Sequence, residues 1–328
     1  MKFYIVDVFA ETKYAGNQLA VFTGQDVANL SPDEMLQIAR EINYSETTFI
    51  ISDKPTNGGY DVRIFTPAKE LPFAGHPTLG TAYIIQKEII KNSVERVILN
   101  LKVGQIPVSW ETTDDLGEVL WMKQNTPTFH QKYDAESLAA ALNLETADID
   151  SRFPIQEVST GIPFIIVPLK SHQALKKSKV NLDKLLSINP VFSKNPRNQV
   201  FPEQPRNQVF PEQPRNQVFS KNLVSKNATE ILIFCPETNN SGNDLSVRMF
   251  APALGITEDP ATGSANGCLA GYLVEYNYFG EEKIEVKVEQ GYEINRPSLL
   301  LLKAEKRGGE IEVFVGGKVV MVARGEFV

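Results

Sequence analysis

The run Val62-Arg63-Ile64-Phe65-Thr66-Pro67-Ala68 returns as Val247-Arg248-Met249-Phe250-Ala251-Pro252-Ala253, identical at five of seven positions. Each copy reads as a strand and continues through a loop into a helix rich in small residues. These helix starts are Gly75-His76-Pro77-Thr78-Leu79-Gly80 and Gly263-Ser264-Ala265-Asn266-Gly267. The second loop is three residues longer. A shared order of strand, loop and helix is better explained by a duplicated half-domain than by chance, and two copies do not imply a solenoid. At 328 residues the chain also exceeds what one core usually serves, so two domains are expected.

Elsewhere the residue pattern supplies both element types. Ser31-Pro32-Asp33-Glu34 has the form of a capping box with proline at the first helical position, and Met35, Ile38, Ala39 and Ile42 share one helical face. The helix ends near Asn43, and β-branched and aromatic residues follow from Ser45 to Ile51, so Glu46 is expected where a loop enters a strand. Met1 to Phe9 reads as the first strand, residues 97–101 and 105–110 as a hairpin about Gly104, and 77–87, 134–143 and 265–276 as helices. Further strands are expected at 60–66, 118–123, 162–169, 229–235, 244–250, 284–289, 299–305, 311–315 and 318–323. Many strands, few helices and no regular βαβ alternation give an α+β class with mixed or antiparallel pairing.

Composition narrows the function. A net charge of −7 provides no broad basic surface for nucleic acid, and no apolar run is long enough to span a bilayer. Asp7 breaks the short apolar run at the amino terminus, so a secretory signal is poorly supported and a cytoplasmic protein is expected. Cys235 and Cys268 read as buried free thiols, and His76, His130 and His172 lack zinc-ligand spacing, so no metal is expected. No Gly-x-Gly-x-x-G or Walker run is present, so no nucleotide cofactor is expected. A second repeat, Pro-Arg-Asn-Gln-Val-Phe-Pro-Glu-Gln at 196–204 and 205–213, reads as a local expansion or assignment artefact in a surface loop at 196–222, because removing those residues rejoins the chain without a seam.

The chemistry-bearing residues gather around the echo. Each helix start leaves backbone N–H groups without intrahelical acceptors, and two such ends facing each other suit a substrate carboxylate or a developing enolate. Ordinary helix capping is the alternative for either end alone. Glu46 and Asp259 are the acidic residues nearest these features, and a desolvated glutamate becomes a stronger base. Taken singly, Glu46 also fits a solvated loop and Asp259 a turn. Phe49 and Ile50 offer an apolar setting for Glu46.

Asp7-Val8-Phe9, Gly16-Asn17-Gln18-Leu19-Ala20-Val21-Phe22, Ser45-Glu46-Thr47, Phe73-Ala74-Gly75-His76-Pro77 and Glu258-Asp259-Pro260-Ala261-Thr262-Gly263-Ser264-Ala265 resemble the signature segments of the PhzF-like phenazine-biosynthesis family. The resemblance spans nearly the whole chain. It implies a diaminopimelate-epimerase-like fold of two pseudo-symmetric half-domains, each a barrel-like mixed sheet around a central helix, expected at 1–117 (completed by 318–328) and 118–317. It further implies a cofactor-independent isomerase or epimerase acting on a small carboxylate-bearing substrate, and a homodimer. By motif match Glu46 is the proton-shuttling carboxylate, His76 and Asp259 orient or protonate substrate, and Gly75, Gly263, Ser264 and Ser45 bind it. Related racemases of this fold place one cysteine base on each half; here Ala74 and Thr262 stand at those loops, which disfavours two-thiol chemistry. A Ser264/His76/Asp259 hydrolase and a non-catalytic binding protein are the rival readings. The hydrolase lacks the Gly-x-Ser-x-Gly elbow.

Overall fold

The computed structural model describes residues 1–188 and 230–328; the repeat at 196–222 lies outside the described residues. The first part of the chain supplies β1 (Lys2–Val8), β2 (Asn17–Thr23), α1 (Pro32–Ile42), β3 (Glu46–Ile50), β4 (Tyr60–Phe65), β5 (Glu70–Leu71), α2 (Gly75–Ile84), β6 (Arg96–Leu101), β7 (Gly104–Thr113) and β8 (Gly117–Lys123). Next come β9 (Thr128–Tyr133), α3 (Ala135–Ala141), β10 (Ile155–Ser159), β11 (Pro163–Pro168), α4 (His172–Lys177) and α5 (Leu182–Ile188). The remainder supplies β12 (Ile231–Cys235), β13 (Leu245–Ala251), β14 (Ile256–Asp259), α6 (Gly263–Glu275), β15 (Lys283–Gln290), β16 (Ser298–Arg307), β17 (Glu310–Gly317) and β18 (Val319–Glu326).

The strand pairings repeat. β4 runs antiparallel to β3 and β5 and parallel to β6, and β13 stands in the same relation to β12, β14 and β15. β2 pairs parallel with β3 as β11 does with β12, and the meander β6-β7-β8 matches β15-β16-β17. The echoed sequence lies on β4 and β13, and its identities have a physical cause. Arg63 clasps Glu70 through two bonds of 2.8 and 2.7 Å and lies over the Phe65 ring at 5.2 Å. Arg248 clasps Glu258 at 3.0 and 2.7 Å and lies over Phe250 at 4.9 Å. Each brace ties a core strand to the loop that leads into a central helix.

The halves exchange material. β18 pairs antiparallel with β1 as β9 does with β10, and β8 pairs with both β7 and β17. Inside each sheet runs one helix that is buried nearly all round, as its small and apolar sequence requires: α2 and α6 have no polar face to offer water. Glycines let the strands approach; a Cβ on Gly80 would lie 2.6 Å from Leu19 and one on Gly271 would lie 2.5 Å from Pro127. Both helices share one core with the strands around them, while α1 covers one outer face and α3, α4 and α5 cover another.

The expected elements are present with shifted ends. α1 carries the capping box at Ser31 and Glu34 and ends at Asn43 in the left-handed region, φ 57°. α2 starts at Gly75 rather than Pro77, which takes the third helical position, where a missing N–H is still one of those without an intrahelical acceptor. Beyond Ile84 the expected helix continues as a wider π-turn segment, Ile85–Ile90. The strands β9, β10 and β14 and helices α4 and α5 had no clear sequence signal. They are short, and four of the six β9 residues are exposed.

Candidate functional site

Glu46 is the first residue of β3, where Asn43 in its left-handed conformation turns the chain out of α1. Strand alternation places Glu46, Thr48 and Ile50 on one face, and Thr48 Oγ1 meets Thr81 Oγ1 of α2 at 2.8 Å. That face looks at the central helix. Phe49 turns the other way into the layer under α1, so of the two apolar residues expected around Glu46 only Ile50 shares its face. The Glu46 side chain is 17% exposed, and its Oε2 lies 3.5 Å from His76 Nε2. Neither atom has a hydrogen-bond partner. Burial, with the charge of Asp259 as a smaller contribution, pushes the Glu46 carboxyl up to about 8.

His76 is the second residue of α2, and the imidazole is buried. Burial holds it down at about 3 despite a hydrogen bond to the backbone of Gln18, so at neutral pH an uncharged ring faces a protonated Glu46. A proton passing between the two would leave a charged pair in a dry site. Ser45, half-buried, precedes Glu46.

The starts of α2 and α6 meet. A Cβ built on Gly75 would lie 3.5 Å from the Ser264 nitrogen and 3.7 Å from the Gly263 Cα. The residues preceding the two helices, Ala74 and Thr262, give no side-chain cap. Two positive helix ends therefore converge without an acceptor from their own cap residues. Phe9 closes the floor with a buried ring and a left-handed backbone, φ 61°; a Cβ on Gly263 would lie 3.2 Å from that ring. Ser264 occupies the position on α6 that His76 occupies on α2, each second in its helix.

Asp259 ends β14 on the opposite half and is 6% exposed. Its Oδ1 accepts from Asn17 Nδ2 at 3.1 Å, and its Oδ2 accepts from the Thr262 hydroxyl. Gln290 fixes the loop beneath: its Nε2 donates to the Asp259 carbonyl at 2.8 Å and its Oε1 accepts from the Thr262 N–H at 3.2 Å and from Asn266 at 2.9 Å. Burial pushes the Asp259 carboxyl up to about 6, against the two donors and with the charge of neighbouring Glu258. Glu46 and Asp259 lose protons in order, Asp259 first, so the later ionisation of Glu46 meets a charge already in place.

Glu46, His76, Gly75, Gly263, Ser264 and Asp259 thus converge from four different elements. Sequence reasoning did not single out Asn17, Thr262 as a donor, Gln290 or Asn266. Asn17 lay within a quoted motif, but its partner stands 242 residues away. The hydrolase reading gains no support from the geometry, because His76 Nε2 has no hydrogen-bond partner and so does not engage the Ser264 hydroxyl as a triad requires.

The family described as phenazine biosynthesis-like protein matches residues 6–325. The chain belongs to that family. It is 34% identical to trans-2,3-dihydro-3-hydroxyanthranilate isomerase of Pseudomonas fluorescens, over 99% of each chain. The fold matches a PhzF-family phenazine biosynthesis protein of Bacillus anthracis with a TM-score of 0.81 at 24% identity, covering 100% of this chain and 99% of that one. A probable proline racemase of Agrobacterium radiobacter shares the fold at a TM-score of 0.54 and 10% identity, covering 100% of this chain and 92% of the other. The phenazine biosynthesis-like chain is accordingly an isomerase with a mixed α+β fold of two pseudo-symmetric halves. Among its described residues no helix is long and apolar enough to cross a membrane.

Proposed function

We propose that this isomerase moves a proton between two carbons of a small carboxylate-bearing substrate, with Glu46 as the group that removes and returns it. The observation that carries the reading is the meeting of one desolvated carboxyl with two uncapped helix starts in a single interior site. The substrate carboxylate sits against the N–H groups at Gly75, Gly263 and Ser264. Ionised Glu46 takes the C–H proton, and the electron pair flows into the conjugated carboxylate, whose growing charge the helix starts stabilise. Glu46 then protonates a second carbon, so no net proton is gained or lost. Ser45, next to Glu46, binds the substrate, and His76 and Asp259, one from each half, orient or protonate it.

The natural division is residues 1–117 with 318–328 against 118–317, and the working unit is a cytoplasmic homodimer; light scattering of the purified protein checks the latter. The substrate named for the Pseudomonas fluorescens relative, trans-2,3-dihydro-3-hydroxyanthranilate, is the first to assay. In deuterium oxide the native protein incorporates solvent deuterium and rearranges the double bonds, and Glu46→Gln loses this by about a hundredfold to ten-thousandfold. Turnover undiminished in Glu46→Gln sinks the reading. Tight binding with no exchange by either protein favours a binding role.

A further inference from the structure

We propose that Asn17 is a positioning residue for the isomerisation: it reaches from the first half and holds the Asp259 carboxylate of the second half in its working orientation while the halves are closed. The inference deepens the function proposed above and rests on its placing of Asp259 at the substrate. Asn17 opens β2, is 2% exposed, and divides its Nδ2 between Asp259 Oδ1 at 3.1 Å and the Ala261 carbonyl at 2.8 Å. The other Asp259 oxygen is held by Thr262, from the same loop as Asp259 itself. One donor is therefore local and the other crosses the seam.

The backbone that presents Asn17 is itself bolted to the second half. Gly16 N donates to the Pro297 carbonyl at 3.1 Å. Arg296 donates to Gly16 O at 3.0 Å, to Ala15 O at 2.6 Å and to Asp7 Oδ1 at 2.7 Å. Gly16 has φ 65°, and a Cβ there would meet the Val8 carbonyl at 2.3 Å, so the turn before Asn17 has one geometry. Separating the halves withdraws the Asn17 amide from Asp259 and leaves Thr262 as its side-chain donor. The carboxylate is then held less firmly, and its charge is less well satisfied. The titratable groups around Asp259 are Glu46 of β3, Glu258 of its own strand, which Arg248 pairs at 2.7 Å, and His76 of α2, which lies against Glu46.

The test uses the full-length protein and carbon-13 NMR of the aspartate carboxyls, with Asp259→Asn assigning the resonance. Replacing Asn17 by Leu, or by Ala if Leu does not fold, removes one hydrogen bond to the charged form and moves the Asp259 midpoint up by roughly one to two pH units. In the native protein the Asn17 side-chain amide resonance shifts with the same midpoint as that carboxyl, which needs no variant. Deuterium exchange into trans-2,3-dihydro-3-hydroxyanthranilate supplies the kinetic arm. Asn17→Leu lowers kcat on the order of tenfold to a hundredfold, with KM changed less than about threefold. Added to Asp259→Asn it costs nothing more, because both act through one carboxyl. An Asp259 midpoint unmoved in a folded variant, a silent native amide, or losses that multiply in the double variant each overturn the proposal. Absence of exchange by the native protein is instead a failure of the proposed function, and the two titrations then decide the role of Asn17 alone.

Discussion

A carboxyl that keeps its proton to about pH 8 in the folded chain binds it more tightly than the unfolded chain does, where Glu46 returns to about 4.5. The associated stability is present at low pH and drains away as pH rises from about 4.5 to about 8. Asp259 has the same sign between 3.8 and about 6, whereas His76, pushed from 6.5 down to about 3, destabilises the fold as pH falls through that window. Of these three groups only Glu46 titrates between pH 6.5 and 8. Over that interval native unfolding free energy should fall by about 2 kcal/mol in urea titrations and Glu46→Gln should show no such fall; equal slopes would mean that Glu46 is not desolvated. Activity carries the opposite trend: under the proposed mechanism kcat/KM should climb with pH toward a plateau above about 8, since Glu46 would have to ionise before acting as a base. The position of Glu46 at a strand entry was legible from the sequence, as was the direction of its shift. Asn17 and Gln290 were not, because their partners lie far along the chain, across the seam for Asn17 and on the loop before α6 for Gln290, and no local pattern marks such a residue.

At the level of elements, the two arginine braces are alike in form and unequal in surroundings. Arg248 is nearly buried and also donates to the Leu175 and Ser178 carbonyls at 3.0 Å each, holding the end of α4. Its removal strands Glu258, whose side chain is 6% exposed. Arg63 is more exposed, and Glu70 keeps a second cation, Lys102, at 2.6 Å. Arg248→Met should therefore destabilise by about 3–5 kcal/mol and Arg63→Met by clearly less, as read from chemical denaturation. Equal losses would show that the extra bonds to α4 contribute little. Gly80→Ala tests the central helix in the same way: the new methyl meets Leu19 at 2.6 Å and Val8 at 2.9 Å, an overpacking cost of about 1–3 kcal/mol. The seven-residue echo announced these matched elements. Its sequence could not reveal why arginine recurs, because Glu70 and Glu258 lie beyond the copied run, on the short strands β5 and β14 at different distances from it.

Across the whole molecule, the half-domain architecture and the return of 318–328 to the first half were readable from the echo and from the motifs that resemble the family, while the strand register was not. A strand is marked by its own residues, but its neighbour is chosen by the completed sheet. β18 lies along β1 with Lys2 opposite Glu326 and Val8 opposite Val319, and the amino-terminal ammonium donates to the Phe327 carbonyl at 2.8 Å. Ending the chain at Gly317 should expose one edge of β1 and convert the protein to aggregates, seen as a loss of the monodisperse peak in size-exclusion chromatography; a soluble, cooperatively folding product would show that β18 is dispensable. The closure of the first sheet by the last strand also sets an order in time. During synthesis β1 leaves the ribosome with one edge unpaired and waits for β18 to follow. Completion of the half that carries Glu46 is thereby postponed until residues 319–326 have emerged, and the unpaired edge is open to wrong partners in the interval.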